Sequence, residues 1–205
     1  MTHPIALNRR TALGALSGAL LSTCLLTLPL QVHAANPVRV TLSTSAGDIR
    51  LELYPDHAPK TVANFVQYVK DKHYDGTVFH RVINHFMIQG GGFDASYAQK
   101  AARAPVPHEG REALASGGLR NTVGTIAMAR TNDPQSATAQ FFINVKDNAF
   151  LDPSAQSWGY TVFGKVVAGM DVVNAIKVTP TGPGGPFPSD VPRTPITLLK
   201  ATLEN

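Results

Sequence analysis

Short segments in which apolar and polar residues alternate restrict the fold of this chain more than any other feature. In residues 38–43, Val and Leu alternate with Arg, Thr and Ser, and in residues 49–53 Ile and Leu alternate with Arg and Glu. The Ser-Ala-Gly-Asp sequence at 45–48 is typical of a turn. Because successive side chains of a strand point to opposite faces, this region predicts a β-hairpin with one buried face.

Further strand-like runs follow along most of the chain, whereas helical periodicity is rare. The runs span residues 77–83, 86–89, 125–129, 140–145, 161–167 and 195–203. Apolar residues at helical spacing predict an amphipathic helix over 59–72 and a second, shorter helix over 170–176. Many short strands without an alternating strand and helix rhythm predict a mainly β protein, either an antiparallel barrel or a sandwich.

Two long segments carry neither pattern. Residues 90–125 show little regular periodicity, and a loop of this length in a compact domain is more often functional than idle. The Pro- and Gly-rich residues 179–195 carry no strand or helix signal, so we predict a surface loop before the last strand.

Residues 1–34 have the composition of a cleavable export signal, in which a pair of arginines precedes an alanine- and leucine-rich run. Permissive residues at Val32 and Ala34 place the cleavage after Ala34. Gly, Ser, Thr and Pro interrupt the apolar run, so we predict no stable membrane insertion after cleavage. The arginine pair fits twin-arginine export as well as the general secretory route, and the sequence leaves both open.

Cleavage leaves residues 35–205, which are the size of one domain. This mature part has 16 Lys and Arg against 14 Asp and Glu, because Arg9 and Arg10 leave with the signal. The basic residues form no run or stripe, so we predict no nucleic-acid binding. The only cysteine, Cys24, also leaves with the signal, which excludes disulfides, thiol catalysis and zinc-thiolate sites.

The mature sequence also lacks the patterns of metal or covalent chemistry. Its five histidines form no pair at a recognised metal-binding spacing, and no Gly-x-Ser-x-Gly motif is present. Asp147 and Asp152 lie in a turn-rich region, where we interpret them as solvated loop carboxylates. We therefore predict no metal and no cofactor.

Residues 79–91 set one guanidinium and one amide, those of Arg81 and Gln89, among large apolar side chains. Taken alone, this mixture fits an amphipathic strand with a solvated arginine as well as a binding site. Two further clusters, Gln-Phe-Phe-Ile at 140–143 and Phe-Leu-Asp at 150–152, favour the site.

Five blocks in a fixed order resemble the cyclophilin-type peptidyl-prolyl isomerases, and the bacterial periplasmic members are the most similar. The blocks are Phe-His-Arg-Val-Ile at 79–83, Phe-Met-Ile-Gln-Gly-Gly at 86–91, Gly-Thr-Ile-Ala-Met-Ala at 124–129, Gln-Phe-Phe-Ile at 140–143 and Val-Phe-Gly-Lys-Val at 162–166. The resemblance covers nearly all of residues 38–203. It implies a closed eight-stranded antiparallel β-barrel capped by two α-helices.

The resemblance also implies an activity, namely rotation about Xaa-Pro bonds in proline-containing polypeptide clients. Arg81 would donate to the nitrogen of the twisting prolyl amide, and no covalent bond would break. The implied catalytic residues are Arg81, Gln89 and Phe86. The implied substrate contacts are Met87, Ala129, Arg130, Gln140, Phe142, Phe150, Leu151 and Tyr160. Phe142 would line the proline pocket and its neighbour Phe141 would lie in the core.

Three residues depart from the pattern familiar from eukaryotic cyclophilins. Phe150 stands in place of a tryptophan, Tyr160 in place of a histidine and Arg130 in place of an asparagine. Because phenylalanine lacks the indole N–H donor, we expect weak cyclosporin binding. We expect a periplasmic monomer, with secretion as the alternative location. A chaperone that binds proline segments without turnover remains the alternative function.

Overall fold

The computed structural model describes residues 36–204, which form a mainly β protein with eleven strands and three α-helices. The strands are β1 (Val38–Thr44), β2 (Gly47–Leu53), β3 (Thr77–Val78), β4 (Arg81–Ile83), β5 (Met87–Gly90), β6 (Thr125–Met128), β7 (Phe141–Asn144), β8 (Val162–Ala168), β9 (Thr181–Gly184), β10 (Phe187–Pro192) and β11 (Thr197–Leu203). The helices are α1 (Pro59–Lys70), α2 (Gly110–Ala115) and α3 (Met170–Lys177), and a 3₁₀ turn spans Ala149–Leu151. The predicted export signal, residues 1–34, lies outside the described residues.

The first hairpin forms as the alternation predicts. Val40 faces Leu51 and Leu42 faces Ile49 across β1 and β2, and all four side chains are fully buried. The outer edges of this hairpin pair with β11 on one side and with β8 on the other. The hairpin is therefore a central part of the sheet, and its apolar face is one wall of the core.

Nine strands form one curled antiparallel sheet in the order β3-β11-β1-β2-β8-β6-β7-β5-β4. The single run predicted over 77–83 is divided into β3 and β4, because β3 pairs with β11 whereas β4 pairs with β5. Only Phe79 and His80 separate these two strands in the sequence, and β3 and β4 are the two edge strands of the sheet. Closure into the predicted eight-stranded barrel stays a prediction.

Helix α1 packs its apolar face into the core that the curled sheet encloses. Val62, Phe65 and Val69 point into the core, and the Phe65 ring lies 4.9 to 5.7 Å from three other aromatic rings, measured between centroids. Helix α3 coincides with the second predicted helix. Within residues 36–204, no helix is long and apolar enough to cross a lipid bilayer.

Two predictions about the less regular segments are wrong. Helix α2 is a third helix where two were predicted, and its six residues are too few to show a helical repeat. Residues 179–195 are not a loop, because β9 and β10 pair there as a two-stranded sheet with an irregular register between Phe187 and Val191. Phe187 packs on the ring of His80, so a distant contact supports strands that the local sequence does not indicate.

Helix α1 begins at Pro59 without a capping side chain from its own N-cap residue, Ala58. The buried carboxylate of Glu109, far away in the sequence, takes this role. It accepts hydrogen bonds from the backbone N–H groups of Lys60 and Thr61, at 3.0 and 2.7 Å, and from the Thr61 hydroxyl at 2.7 Å. A carboxylate at this end also complements the helix dipole. The long segment between β5 and β6 is thereby fixed to α1.

Replacing Glu109 with alanine should lower the free energy of unfolding by about 2 kcal/mol, because three hydrogen-bond donors lose a charged acceptor. Two of these donors are backbone N–H groups in the first turn of α1. Chemical denaturation measures this loss. Glu112→Ala is the matched control, since Glu112 is an exposed acidic residue in the first turn of α2. Equal stability of both variants would contradict the capping role.

Candidate active site

Three of the predicted site residues lie side by side on adjacent strands. Arg81 on β4 is directly opposite Gln89 on β5, and Gln89 is directly opposite Phe142 on β7. Phe142 in turn faces Ala127 on β6. Because directly opposed residues point to the same face of a sheet, these side chains form one row across four strands. The row starts with a guanidinium and ends on apolar side chains.

The face that carries this row has its own apolar cluster, separate from the main core. Its buried members are Met87, Ala127, Phe142, Leu151 and Val162, and Phe86, Ala129 and Tyr160 pack against them. The main core contains Phe141, whose ring packs against three other aromatic rings. Alternation along β7 therefore divides two adjacent phenylalanines between the core and the site.

A cavity of about 180 Å³ opens on this face. That is smaller than the roughly 300–1,000 Å³ of pockets for drug-sized ligands, and it suits a single ring. Nine of the eleven predicted site residues line it: Arg81, Phe86, Met87, Gln89, Ala129, Arg130, Phe142, Leu151 and Tyr160. Gln140 lines an adjoining cavity. Phe150 is not part of either lining. The residue is 71% exposed, and its ring stacks on that of Phe86 at 5.7 Å between centroids.

Arg81 and Gln89 are polar residues of the cavity lining, and Gln89 connects it to Gln140 in the adjoining cavity. The Gln89 Nε2 group donates to the Gln140 Oε1 atom at 3.0 Å. The side chain of Arg81 is 43% exposed, and its Nε atom lies 4.0 Å from a carboxylate oxygen of Asp190. Sequence reasoning missed Asp190, because it lies in the segment that was predicted to be a loop. A tertiary contact alone brings it to the rim.

Gln140 keeps its position because Gly92 has no side chain. A Cβ atom at Gly92 would lie 2.5 to 2.7 Å from the amide end of Gln140, closer than carbon and nitrogen atoms can approach. Gly92 therefore leaves room for the hydrogen bond between Gln140 and Gln89.

Arg130 also lines the cavity, and its side chain makes contacts within the lining. Its Nε and Nη2 atoms donate to the carbonyl of Gly159 at 3.0 and 2.9 Å, and its guanidinium lies over the ring of Tyr160 at 4.7 Å. Tyr160 meets Phe142 edge to face, with 5.5 Å between ring centroids. Arg130 therefore helps to fix the aromatic wall of the cavity.

A buried chain of hydrogen bonds connects Phe86, which lines the cavity, to Asp152, the residue after Leu151. The Asn148 amide donates to the Phe86 carbonyl at 2.9 Å and to Asn144 at 2.7 Å, and the Asn144 amide donates to Asn121 at 3.2 Å. Asn121 donates its backbone and side-chain N–H groups to Asp152, at 2.8 and 3.0 Å. The prediction of a solvated loop carboxylate at Asp152 is wrong, because Asp152 is a buried acceptor beside Leu151.

His80, the residue before Arg81, is buried between the rings of Phe93 and Phe187 at 4.7 and 5.3 Å. Its Nδ1 atom has no hydrogen-bond partner among the described residues. Burial, with a smaller contribution from the positive charge of Arg81, lowers the pKa of His80 to about 4. His80 is therefore neutral at physiological pH.

The low pKa of His80 should make the protein less stable in acid. The unfolded chain takes up this proton near pH 6.5, whereas the folded chain takes it up only near pH 4. The free energy of unfolding should thus fall as the pH drops from 6.5 to 4, by about 3 kcal/mol, with no further loss from this group below pH 4. Burial lowers the pKa of His73 and of His108 as well, which adds to the effect.

Denaturant titrations between pH 7 and pH 4 measure this dependence. In His80→Gln the slope of stability against pH should flatten, whatever the stability of the variant at pH 7. His85→Asn is the control, because His85 is exposed and asparagine tolerates its positive φ. An unchanged slope in His80→Gln would assign the acid sensitivity to other groups.

Comparisons with known proteins identify the family of this chain. The family model described as cyclophilin type peptidyl-prolyl cis-trans isomerase/CLD matches residues 39–203. The chain is 56% identical over 167 residues to peptidyl-prolyl cis-trans isomerase cyp18 of Streptomyces antibioticus, a match that covers 80% of this chain and 97% of the relative. It is 51% identical over 167 residues to peptidyl-prolyl cis-trans isomerase B of Escherichia coli, covering 80% and 98% of the two chains.

Solved structures show the same fold. Two crystal structures of a Cryptosporidium parvum cyclophilin type isomerase give TM-scores of 0.64 and 0.63, each over 82% of this chain and at 22% identity. They cover 98% and 99% of that protein, and the second was determined in the presence of the dipeptide Ala-Pro.

The fold and the matched relatives together define a prolyl isomerase. The chain belongs to the cyclophilin-type peptidyl-prolyl cis-trans isomerases, a family whose substrates are proline-containing peptides.

Proposed function

We propose that this enzyme accelerates rotation about Xaa-Pro bonds in exported proteins by stabilising the twisted amide through Arg81. One observation carries the proposal: the half-exposed side chain of Arg81 lines the same small cavity as Phe86, Met87 and Phe142, and this cavity suits a single ring. The rotation opposes amide resonance, with a barrier of about 20 kcal/mol, and needs no bond to break. A site that binds the twisted amide better than either planar isomer lowers this barrier.

Arg81 suits this task because twisting changes the prolyl nitrogen. Out of the plane, the nitrogen lone pair is no longer shared with the carbonyl, so the nitrogen becomes a hydrogen-bond acceptor. A guanidinium aimed at it stabilises the transition state more than the ground state. The side chain of Arg81 has no other hydrogen bond or ion pair among residues 36–204 than the contact with Asp190, so its Nη groups are available to a substrate.

The remaining site residues have consistent roles in this proposal. The prolyl ring enters the cavity between Phe86, Met87, Phe142 and Leu151. Gln89 and Gln140 orient the peptide and the guanidinium, and the backbone at Ala129 and Arg130 supports the extended chain. The Ala-Pro dipeptide used with the Cryptosporidium parvum relative supports a ligand of this kind.

A chaperone that captures proline-containing segments without turnover is the alternative. NMR exchange spectroscopy on an Xaa-Pro peptide separates the two functions, because it measures the cis–trans exchange rate directly. We expect exchange to become much faster at substoichiometric amounts of the enzyme. Peptide binding without faster exchange would favour the chaperone function.

We further propose that residues 1–34 direct the protein to the periplasm and are then cleaved off. The mature protein, residues 35–205, is a monomer. The arginine pair and the apolar run support export. N-terminal sequencing of the protein from a periplasmic extract should begin at Ala35, and light scattering of this form should give the mass of a single chain. An N-terminus at Met1 in the mature protein would contradict export by cleavage.

Cyclosporin binding should be weak because Phe150 offers an aromatic face without an indole N–H donor. The exposed position of Phe150 permits a larger ring there. Phe150→Trp should therefore raise cyclosporin affinity about tenfold, which corresponds to the net free energy of about one hydrogen bond between neutral groups. Calorimetric titration of both proteins measures it, and an unchanged affinity would assign weak binding to other residues.

A further inference from the structure

An acidic residue outside the sheet that carries the site lies beside the guanidinium of Arg81. The Arg81 Nε atom lies 4.0 Å from the Oδ2 atom of Asp190, on β10. We propose that Asp190 is a positioning residue for Arg81, which holds the Nε edge so that the Nη groups point toward the prolyl amide. This inference rests on the proposed role of Arg81.

An aromatic contact places Asp190 at the rim. Strand β10 packs against β4, and the Phe187 ring at its start stacks on His80 at 5.3 Å between centroids. Phe187 also meets Phe93 edge to face at 5.0 Å. Because His80 directly precedes Arg81 and Asp190 follows Phe187 by three residues, the stacked rings fix the carboxylate beside the guanidinium.

The backbone at Asp190 has a conformation that few residues adopt. Its φ angle is +66°, in the left-handed region that aspartate and asparagine tolerate better than other side chains. The irregular register between Phe187 and Val191 contains this residue. The hydroxyl of Ser189 donates to the Asp190 Oδ2 atom at 3.0 Å, which orients the carboxylate. The strand thus departs from regular geometry at the residue that meets Arg81.

The exposure of this ion pair argues against a mainly structural role. The side chains of Arg81 and Asp190 are 43% and 36% exposed, and pairs this exposed add little to folding stability. Orientation of the guanidinium matters more, because a donor that is displaced from the reacting atom loses most of its effect in the transition state. Loss of Asp190 should therefore change activity more than stability.

Asp190→Asn is the sharpest test, because asparagine keeps the shape and tolerates the φ angle while it removes the charge. We expect kcat/KM for an Xaa-Pro peptide to fall about three- to tenfold, mostly through kcat, with an unchanged unfolding midpoint. Asp71→Asn is the matched control, since Asp71 forms a similarly exposed pair with Arg103 at the end of α1. Turnover equal to or above that of the wild type would overturn the proposal.

A double-mutant cycle tests whether Asp190 acts through Arg81. In an Arg81→Ala background, Asp190→Asn should have no further effect on kcat/KM. The NMR signal of the Arg81 Nε–H group should also shift or broaden in Asp190→Asn and stay unchanged in Asp71→Asn. An equal loss with and without Arg81, or an unchanged signal, would overturn the positioning role.

The same cycle separates this inference from the proposed function. If Arg81→Ala is impaired and Asp190→Asn is not, the role of Arg81 stands and the positioning role fails. If Arg81→Ala turns over like the wild type, both fail.

Discussion

Replacing Arg81 with alanine should lower kcat/KM for an Xaa-Pro peptide by roughly 10²–10³, the loss typical of one preorganised donor to a transition state. Donation to the twisted prolyl nitrogen exists only in the transition state, so kcat should carry most of the loss and KM should change little. The side chain is half-exposed and its ion pair with Asp190 is long, at 4.0 Å. The fold should therefore tolerate the change.

The measurement is a cis–trans exchange assay by NMR, or one coupled to an isomer-specific protease, together with a denaturation curve for each variant. Arg39→Ala is the matched control. Arg39 is also an exposed strand arginine that pairs with an acidic side chain, Glu52 at 3.0 Å, and it lies away from the site on β1. Near wild-type turnover in Arg81→Ala would contradict the proposed mechanism.

The second large effect distinguishes the two adjacent phenylalanines of β7. Phe142→Ala should lower kcat/KM about 10- to 100-fold, because the prolyl ring loses the apolar wall that would bury it. Phe141→Ala should instead lower the free energy of unfolding by about 3–5 kcal/mol, because it empties a space between the rings of Phe65, Tyr74 and Phe79.

Activity must be measured below the melting transition of both variants, and kcat/KM must refer to the folded fraction. Under these conditions, folded Phe141→Ala should keep activity close to that of the wild type. Phe142→Ala should lose less stability than Phe141→Ala, because its ring lies in the smaller apolar cluster, beside the cavity, and contacts fewer aromatic rings. Equal losses of activity in both variants would show that β7 does not divide core and site in this way.

The local pattern of apolar and polar residues determines much of this fold by itself. The β1–β2 hairpin follows from strict alternation of apolar and polar residues, because a shift of the strand pairing by one residue would move every apolar side chain to the exposed face. The helices α1 and α3 follow from apolar residues at helical spacing, and nine predicted site residues line one cavity because they lie on neighbouring strands or the turns beside them. Recognition of the family depended on five blocks in order, since no single block distinguishes a site from a solvated strand.

Only the tertiary structure decided the contacts between residues that are distant in the sequence. Glu109 caps a helix that begins 50 positions earlier, and Asp152 is a buried acceptor although its surroundings resemble a solvated turn. Asp190 reaches Arg81 because Phe187 stacks on His80, in a segment whose prolines and glycines predict a loop. The spacing of apolar residues along a helix or strand specifies which of its faces is buried. The hydrogen-bond partner of a polar group depends instead on which distant segments the folded chain brings together.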